Sequence, residues 1–281
     1  MFVVLRVTEA KNGIINKIKQ KKSYKLREPV SHSVEKGLPF FTLDVLEYKN
    51  GIDWGLVEEK CGRYVSRIVA PRSIALPDNN RLKRFVPASL NHFLIFNTAT
   101  ETIKKAGLCP DDVSITVIDR NAFLCSKIEM LLPLTSSVRI VTSHPERYAF
   151  VCQKIYDEFG ASIILRSSYE ASRKHDIVIC CDGSTSCAMN SAAVFSCKRG
   201  IYGKIRFFGN GIALSEEHKE IIPDSIDSVD FAAALSELCG NSQYKSSTFA
   251  NIEINCSECK DSVPEKCLRC CFLHPEKVRN T

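Results

Sequence analysis

Between residues 113 and 240 the chain alternates short apolar runs with longer amphipathic ones, and this rhythm constrains the fold more than any other feature. The runs at 113–118 (VSITVI), 138–142 (VRIVT), 162–165, 177–181 (IVICC) and 204–208 (KIRFF) have the length and β-branched content of buried strands. Residues 122–132, 145–159 and 228–239 carry apolar residues at helical spacing. Pro145 suits a first helical turn, Glu146 complements the helix dipole, and Gly160 stops the helix. Strands alternating with helices of roughly 10 to 15 residues build βαβ units around a parallel sheet. Right-handed crossovers then leave few topologies.

The flanks read differently. Residues 1–110 form a smaller mixed α/β region, with strands expected at 2–7, 40–48 and 65–69. Asn12-Gly13 and Asn50-Gly51 are turn signals, and 28–39 and 71–87 read as loops. Asp53 is placed to cap a helix through Cys61, and a second helix runs over 88–106 to Gly107. Residues 168–174 read as a short polar helix or loop, and 241–255 as a polar linker into a cysteine-rich tail. The expected division is thus 1–110, 111–240 and 241–281.

Composition sets outer limits. With 281 residues, 44% of them hydrophobic, the chain can bury one large core with smaller attachments. No stretch reaches the roughly 18 apolar residues that span a bilayer, and Met1–Arg6 lacks the pattern of a signal peptide. The expectation is a soluble, cytoplasmic protein with no membrane partner. Of its 14 cysteines, Cys125, Cys152, Cys180, Cys181 and Cys239 sit in apolar helix or strand patterns and read as reduced core thiols. Net charge is +6, and residues 11–27 carry seven basic side chains and no acid. Such a run is a solvated face or a phosphate-binding arm. Tyr24 is its one aromatic, so nucleic acid is a secondary reading.

In an open α/β sheet, ligands lie beyond the carboxyl ends of the strands. Four such ends are polar here: Asp119-Arg120-Asn121; Thr142-Ser143 with Arg147 one turn later; Asp182-Gly183-Ser184; and Gly209-Asn210-Gly211. Together they define the expected ligand cleft. His144 lies at its edge as a helix-flanking polar residue.

The order strand, helix, VRIVT strand, helix and then DIVICCDG resembles the NAD(P)-binding domain of the shikimate dehydrogenase and glutamyl-tRNA reductase type, over about 130 residues. The resemblance implies a Rossmann-like α/β fold, a parallel sheet with flanking helices, and a dinucleotide beside the first turn. That turn normally carries G-x-G-x-x-G, whose glycines let the backbone approach a pyrophosphate. Here the matching positions are Asp119, Asn121 and Leu124. An acid at the first position repels a phosphate. Thr142, Ser143 and Arg147 nevertheless suit a 2′-phosphate, which keeps NADP as a cofactor reading. Asp119 and Asp182 end the first and fourth strands, which are neighbours in a Rossmann order. As a pair they would hold Mg²⁺ or share a proton; singly they would cap the turns that follow. No nucleophile elbow and no H-x-x-x-H pair is present.

The tail carries the most specific local motif. Cys256-x-x-Cys259 and Cys267-x-x-Cys270 present four thiolates at the spacing of a structural Zn²⁺ knuckle, with Cys271 and His274 nearby. Iron–sulfur ligation and a set of incidental cysteines are the other readings. Three functions follow. The first is an atypical ligand- or partner-binding protein whose dinucleotide phosphate loop is lost. The second is an NADP-dependent oxidoreductase with an unusual phosphate loop. The third is a zinc-containing nucleic-acid-associated protein.

Overall fold

The computed structural model describes residues 1–9, 26–27, 40–48, 51–169, 175–182, 190–197, 203–256 and 262–273. The Asn12-Gly13 turn, the 28–39 loop, Asn50, most of the basic run, Gly183, Ser184, Cys259 and His274 lie outside the described residues. The chain divides into two compact units, Met1–Leu90 with Ala213–Tyr244, and Asn91–Ile212 with Lys245–Thr281. The division falls at Leu90 rather than at 110, and the helix at 228–239 belongs to the first unit.

In the first unit, β1 (Phe2–Glu9), β2 (Leu26–Arg27), β3 (Phe40–Glu47) and β4 (Ile68–Val69) form a sheet in the order β2-β3-β1-β4. β1 and β3 run parallel from Phe2↔Phe40 to Glu9↔Glu47. Alternate residues supply two buried faces. Val3, Leu5, Leu43 and Val45 pack with Val57 and Cys61 of helix α1 (Trp54–Cys61). Phe2 and Phe40 stack at 5.4 Å, and Phe231 meets both rings edge-on. α1 starts where expected, because the Asp53 carboxylate accepts the Leu56 N–H at 3.0 Å. After helix α2 (Leu90–Ala106) come α3 (Pro145–Phe159), α4 (Glu216–Ile221) and α5 (Ser228–Cys239). Asp227 caps α5 through the Val229 and Asp230 amides.

The second unit holds seven strands: β5 (Ser114–Ile118), β6 (Ser137–Val141), β7 (Ile163–Arg166), β8 (His175–Cys180), β9 (Ser191–Ser196), β10 (Ile205–Asn210) and β11 (Asn251–Cys256). Their order is β11-β10-β9-β8-β5-β6-β7. β5 to β10 are all parallel, and β11 runs antiparallel to β10. Numbered from β5, the parallel strands lie 3-2-1-4-5-6, the doubly wound Rossmann order. Ile115, Val117, Ile140, Ile177, Ile179 and Phe195 are fully buried, which explains the near-continuous apolar runs.

Three elements differ from expectation. The first crossover is not an α-helix but a 3-10 segment, Cys125–Leu131. It follows a turn in which Ala122 has φ +55, a left-handed backbone that an α-helix beginning at 122 cannot contain. β9 was missed because Ser191-Ala-Ala-Val-Phe-Ser196 has no strong apolar run; pairing on both sides makes it a strand. The 241–255 linker contains β11, an edge strand whose Ile252 and Ile254 alternate with exposed polar residues. A final helix, α6, spans Pro264–Leu273. Among the described residues no helix is long and apolar enough to cross a membrane.

Candidate functional site

β5 and β8 lie side by side, paired from Ile115↔Ile177 to Ile118↔Cys180. From this pair β5 leads to β6 on one side and β8 to β9 on the other, so it is the topological switch point where such sheets bind ligands. Asp119 follows β5 directly, Asp182 follows β8 after Cys181, and both are buried.

Asp119 turns back into its own loop. Its Oδ1 accepts the Phe123 N–H at 3.2 Å, and its Oδ2 accepts the Leu124 N–H at 2.8 Å. The Tyr148 hydroxyl, on the first turn of α3, donates to the same Oδ2 at 2.6 Å. Asp119 and Tyr148 are both 0% exposed, so none of these bonds is shared with bulk water. Burial, and then the Asp119 charge, push the Tyr148 hydroxyl far above its ordinary pKa, so it stays a donor. The carboxylate thus occupies the loop amides that a phosphate would need. Because the segment beyond is 3-10, the crossover from β5 presents no α-helix N-terminus to a phosphate.

Asp182 is tied differently. Its Oδ1 lies 3.0 Å from His92 Nε2, and its Oδ2 accepts the Arg120 N–H. Burial raises its pKa, but the bonds from His92 and Arg120 lower it more, leaving it below the ordinary carboxylate value. His92 Nε2 also approaches Asp119 Oδ1 at 3.9 Å, and the Phe123 ring sits edge-on to the imidazole. Among the described residues the buried Nδ1 of His92 has no hydrogen-bond partner. Asp182 thus orients the imidazole, and both side chains are buried. Burial above all raises the neighbouring Cys181 and Cys125 thiols, so neither is poised as a thiolate.

The other expected residues divide into two groups. Thr142 donates its hydroxyl to the Arg120 carbonyl at 3.3 Å, and the Ser143 N–H donates to the same oxygen at 3.0 Å. Arg147 donates to the Asn121 carbonyl at 3.1 Å. These three bind the β5 turn down, Ser143 through its backbone amide and Thr142 and Arg147 through the side chains read from the sequence as suited to a 2′-phosphate. Gly209, Asn210 and Gly211 are not brought to the same place. β10 is separated from β8 by β9, two strand spacings or about 10 Å away. There, a Cβ on Gly209 would lie 2.1 Å from the Phe249 ring, Gly211 has φ +65, and Asn210 donates to Glu253 at 2.9 Å. Packing and turn geometry account for these glycines.

Sequence reasoning missed His92 and Tyr148. The signal for His92 was its place on the buried stripe of α2 with Ile95, Phe96, Ala99 and Ile103, where a polar residue requires a partner.

The metal readings find no support. Among the described residues no group of three or more His, Cys, Asp or Glu could hold a metal ion. The expected Asp119–Asp182 pair is instead bridged by His92, and Asp119 caps its own turn. For zinc, Cys256 ends β11 while Cys267 and Cys270 lie on α6, with Cys267 fully buried.

The chain matches no protein-family model and no curated protein sequence. Among solved structures it is similar to L-tryptophan dehydrogenase from Nostoc punctiforme, at 10% identity and a TM-score of 0.33, covering 99% of this chain and 83% of that one. At that score the backbones coincide only in part, and the Rossmann-like fold rests on the strand order.

Proposed function

We propose that this protein is a ligand- or partner-binding protein built on a dinucleotide-type sheet whose phosphate site is filled by its own Asp119 carboxylate. The observation that carries the reading is the capture of the Phe123 and Leu124 amides by Asp119, locked by Tyr148. A pyrophosphate would have to displace a buried charge that already accepts three hydrogen bonds. That exchange costs several kcal/mol on the scale of breaking a buried charged network, about 3–5 kcal/mol. The likeness to the shikimate dehydrogenase and glutamyl-tRNA reductase type of domain then belongs to the sheet and not to its cofactor. Asp176, part of that likeness, is used structurally, since its carboxylate accepts from the Ser114 N–H and hydroxyl at 3.0 and 2.8 Å.

The NADP-dependent reading is weakened at Thr142 and Arg147, whose side chains donate to the β5 turn. Calorimetric titration of the full chain with NAD⁺, NADP⁺, NADH and NADPH tests the proposal. No binding is expected at millimolar ligand. Saturable binding of any of the four below that range would overturn it.

A further inference from the structure

Five of the large apolar side chains exposed among the described residues come from one stretch, 130–164: Met130, Phe150, Tyr156, Phe159 and Ile164. Helix α3 lies within it. One side of α3 is buried through Tyr148, Val151 and Ile155. Another faces the 3-10 segment, where Lys154 Nζ meets Glu129 at 2.8 Å. The flank opposite Lys154 carries Ala149, Cys152, Tyr156 and Phe159, separated by three, four and three positions. That spacing makes one continuous seam on a helix, and no charge interrupts it. Ala149, Tyr156 and Phe159 are exposed, and Cys152 is half-buried.

A second feature lies on the same edge of the sheet. α3 packs against β7, the outermost strand of the sheet, which among the described residues pairs only with β6. β7 reads Ile163-Ile-Leu-Arg166, with Ile164 38% exposed and its one charge at the end. Proteins normally guard an open edge with proline, bulges or charges. β7 has only Arg166.

We propose that this flank is the interface of a symmetric homodimer, formed by α3 and β7 with their two-fold mates. The three-four-three spacing reads the same in both directions. Antiparallel helices would therefore set Ala149 against Phe159 of the partner subunit, and Cys152 against Tyr156 of the partner subunit. Small faces large at every level, so the surface complements itself, as a two-fold contact requires. Two edge strands of the same sequence can pair antiparallel about the same axis. Tyr156 and Phe159 are 60% and 58% exposed, so of the about 150–250 Å² an aromatic side chain can bury each still offers a little over half; the four rings of the two subunits supply the apolar centre, and the paired strands add the rest of a contact of ~1,200–2,000 Å².

The test is the solution mass of the full chain by size exclusion with light scattering. Twice the 31.5 kDa chain mass is expected. Tyr156→Glu should return the single-chain mass with an unchanged circular dichroism spectrum, because Tyr156 is 60% exposed. Ile164→Lys should do the same from the strand, so a folding defect in one variant does not hide the result. Tyr156→Cys should form an interchain disulfide with Cys152 of the partner subunit under mild chemical oxidation, and adding Cys152→Ser should abolish it. A wild-type chain that stays monomeric across the micromolar range overturns the proposal. So does a dimer that survives both charge substitutions. A missing cross-link in a chain that is dimeric overturns the antiparallel register on which the proposal rests.

Discussion

The turn after β5 and the turn after β10 send opposite signals in the sequence and play opposite roles in the fold. The β10 turn has the glycines that suggest a ligand loop, and both serve the protein's own packing: Gly209 lets the Phe249 ring approach, and Gly211 takes a left-handed backbone. The β5 turn has no glycine, yet it holds the buried charges at the switch point. A glycine permits a close approach without saying what approaches. The missing glycines of the β5 turn reflect a loop closed on an internal carboxylate.

Substitutions at the two turns can break this contrast, and the largest effect belongs to the β5 turn. Asp119→Ala strands two amides and the Tyr148 hydroxyl in a dry site. Each buried group left unsatisfied costs about 1–3 kcal/mol, so a loss of about 3–5 kcal/mol is expected in urea unfolding at neutral pH. A loss below about 1 kcal/mol would show that water reaches the site and that the turn is not self-filled. Gly209→Ala comes next. Its added methyl must push the Phe249 ring away, at the about 1–3 kcal/mol of overpacking, and Phe249→Leu in the same chain should restore part of the loss. If Gly209→Ala is neutral, the packing account of the β10 glycine is wrong.

Tyr148→Phe removes one hydrogen bond to a charge and keeps the ring. The expected cost is about 1.5–3 kcal/mol, and it should vanish in the Asp119→Ala background, since the two groups act as one unit. Asp182 gives a pH signature. Its folded pKa is depressed, so its contribution is whole above the unfolded carboxylate value of about 3.9 and is lost as pH falls through the folded value. Urea midpoints followed downwards from neutral pH should therefore show the Asp182→Asn penalty whole above the ordinary carboxylate range and fading only below it, as the pH passes the depressed folded value. A penalty that does not change with pH would mean the carboxylate charge contributes nothing. The smallest effect is expected at Arg147, whose exposed side chain bonds a single carbonyl. Arg147→Ala should stay within about 0.5 kcal/mol, and a larger loss would mark the guanidinium as a true clamp on the β5 turn.

Much of the fold was legible because the evidence was local. The apolar runs that became β5, β6, β7, β8 and β10 announce themselves, and α1, α3 and α5 begin or end at Asp53, Pro145, Gly160 and Cys239 as their capping residues require. β9 was not legible, because small residues and serines make no strand signal until neighbours on both sides pair with them. The first crossover was misread as a helix for a related reason. Its apolar spacing is helical, but Ala122 takes a left-handed backbone with φ +55 that no α-helix can contain, and the turn closes on Asp119. A single residue's backbone conformation does not appear in periodicity. The site was half legible. Both acids were placed at adjacent strand ends, whereas the groups that bind them come from α2 and α3.

By itself, the sequence determined that a parallel sheet forms, that Asp119 and Asp182 end two of its strands, and that the first turn lacks the glycines of a phosphate loop. These follow from residue type and spacing, which act over a few positions. Only the tertiary structure decided what fills that turn. Tyr148 reaches Asp119 from 29 residues along the chain, and His92 reaches Asp182 from 90 residues before it. Such contacts arise when the helices dock on the sheet, because burying a carboxylate is tolerated only where the packed core supplies its hydrogen-bond donors.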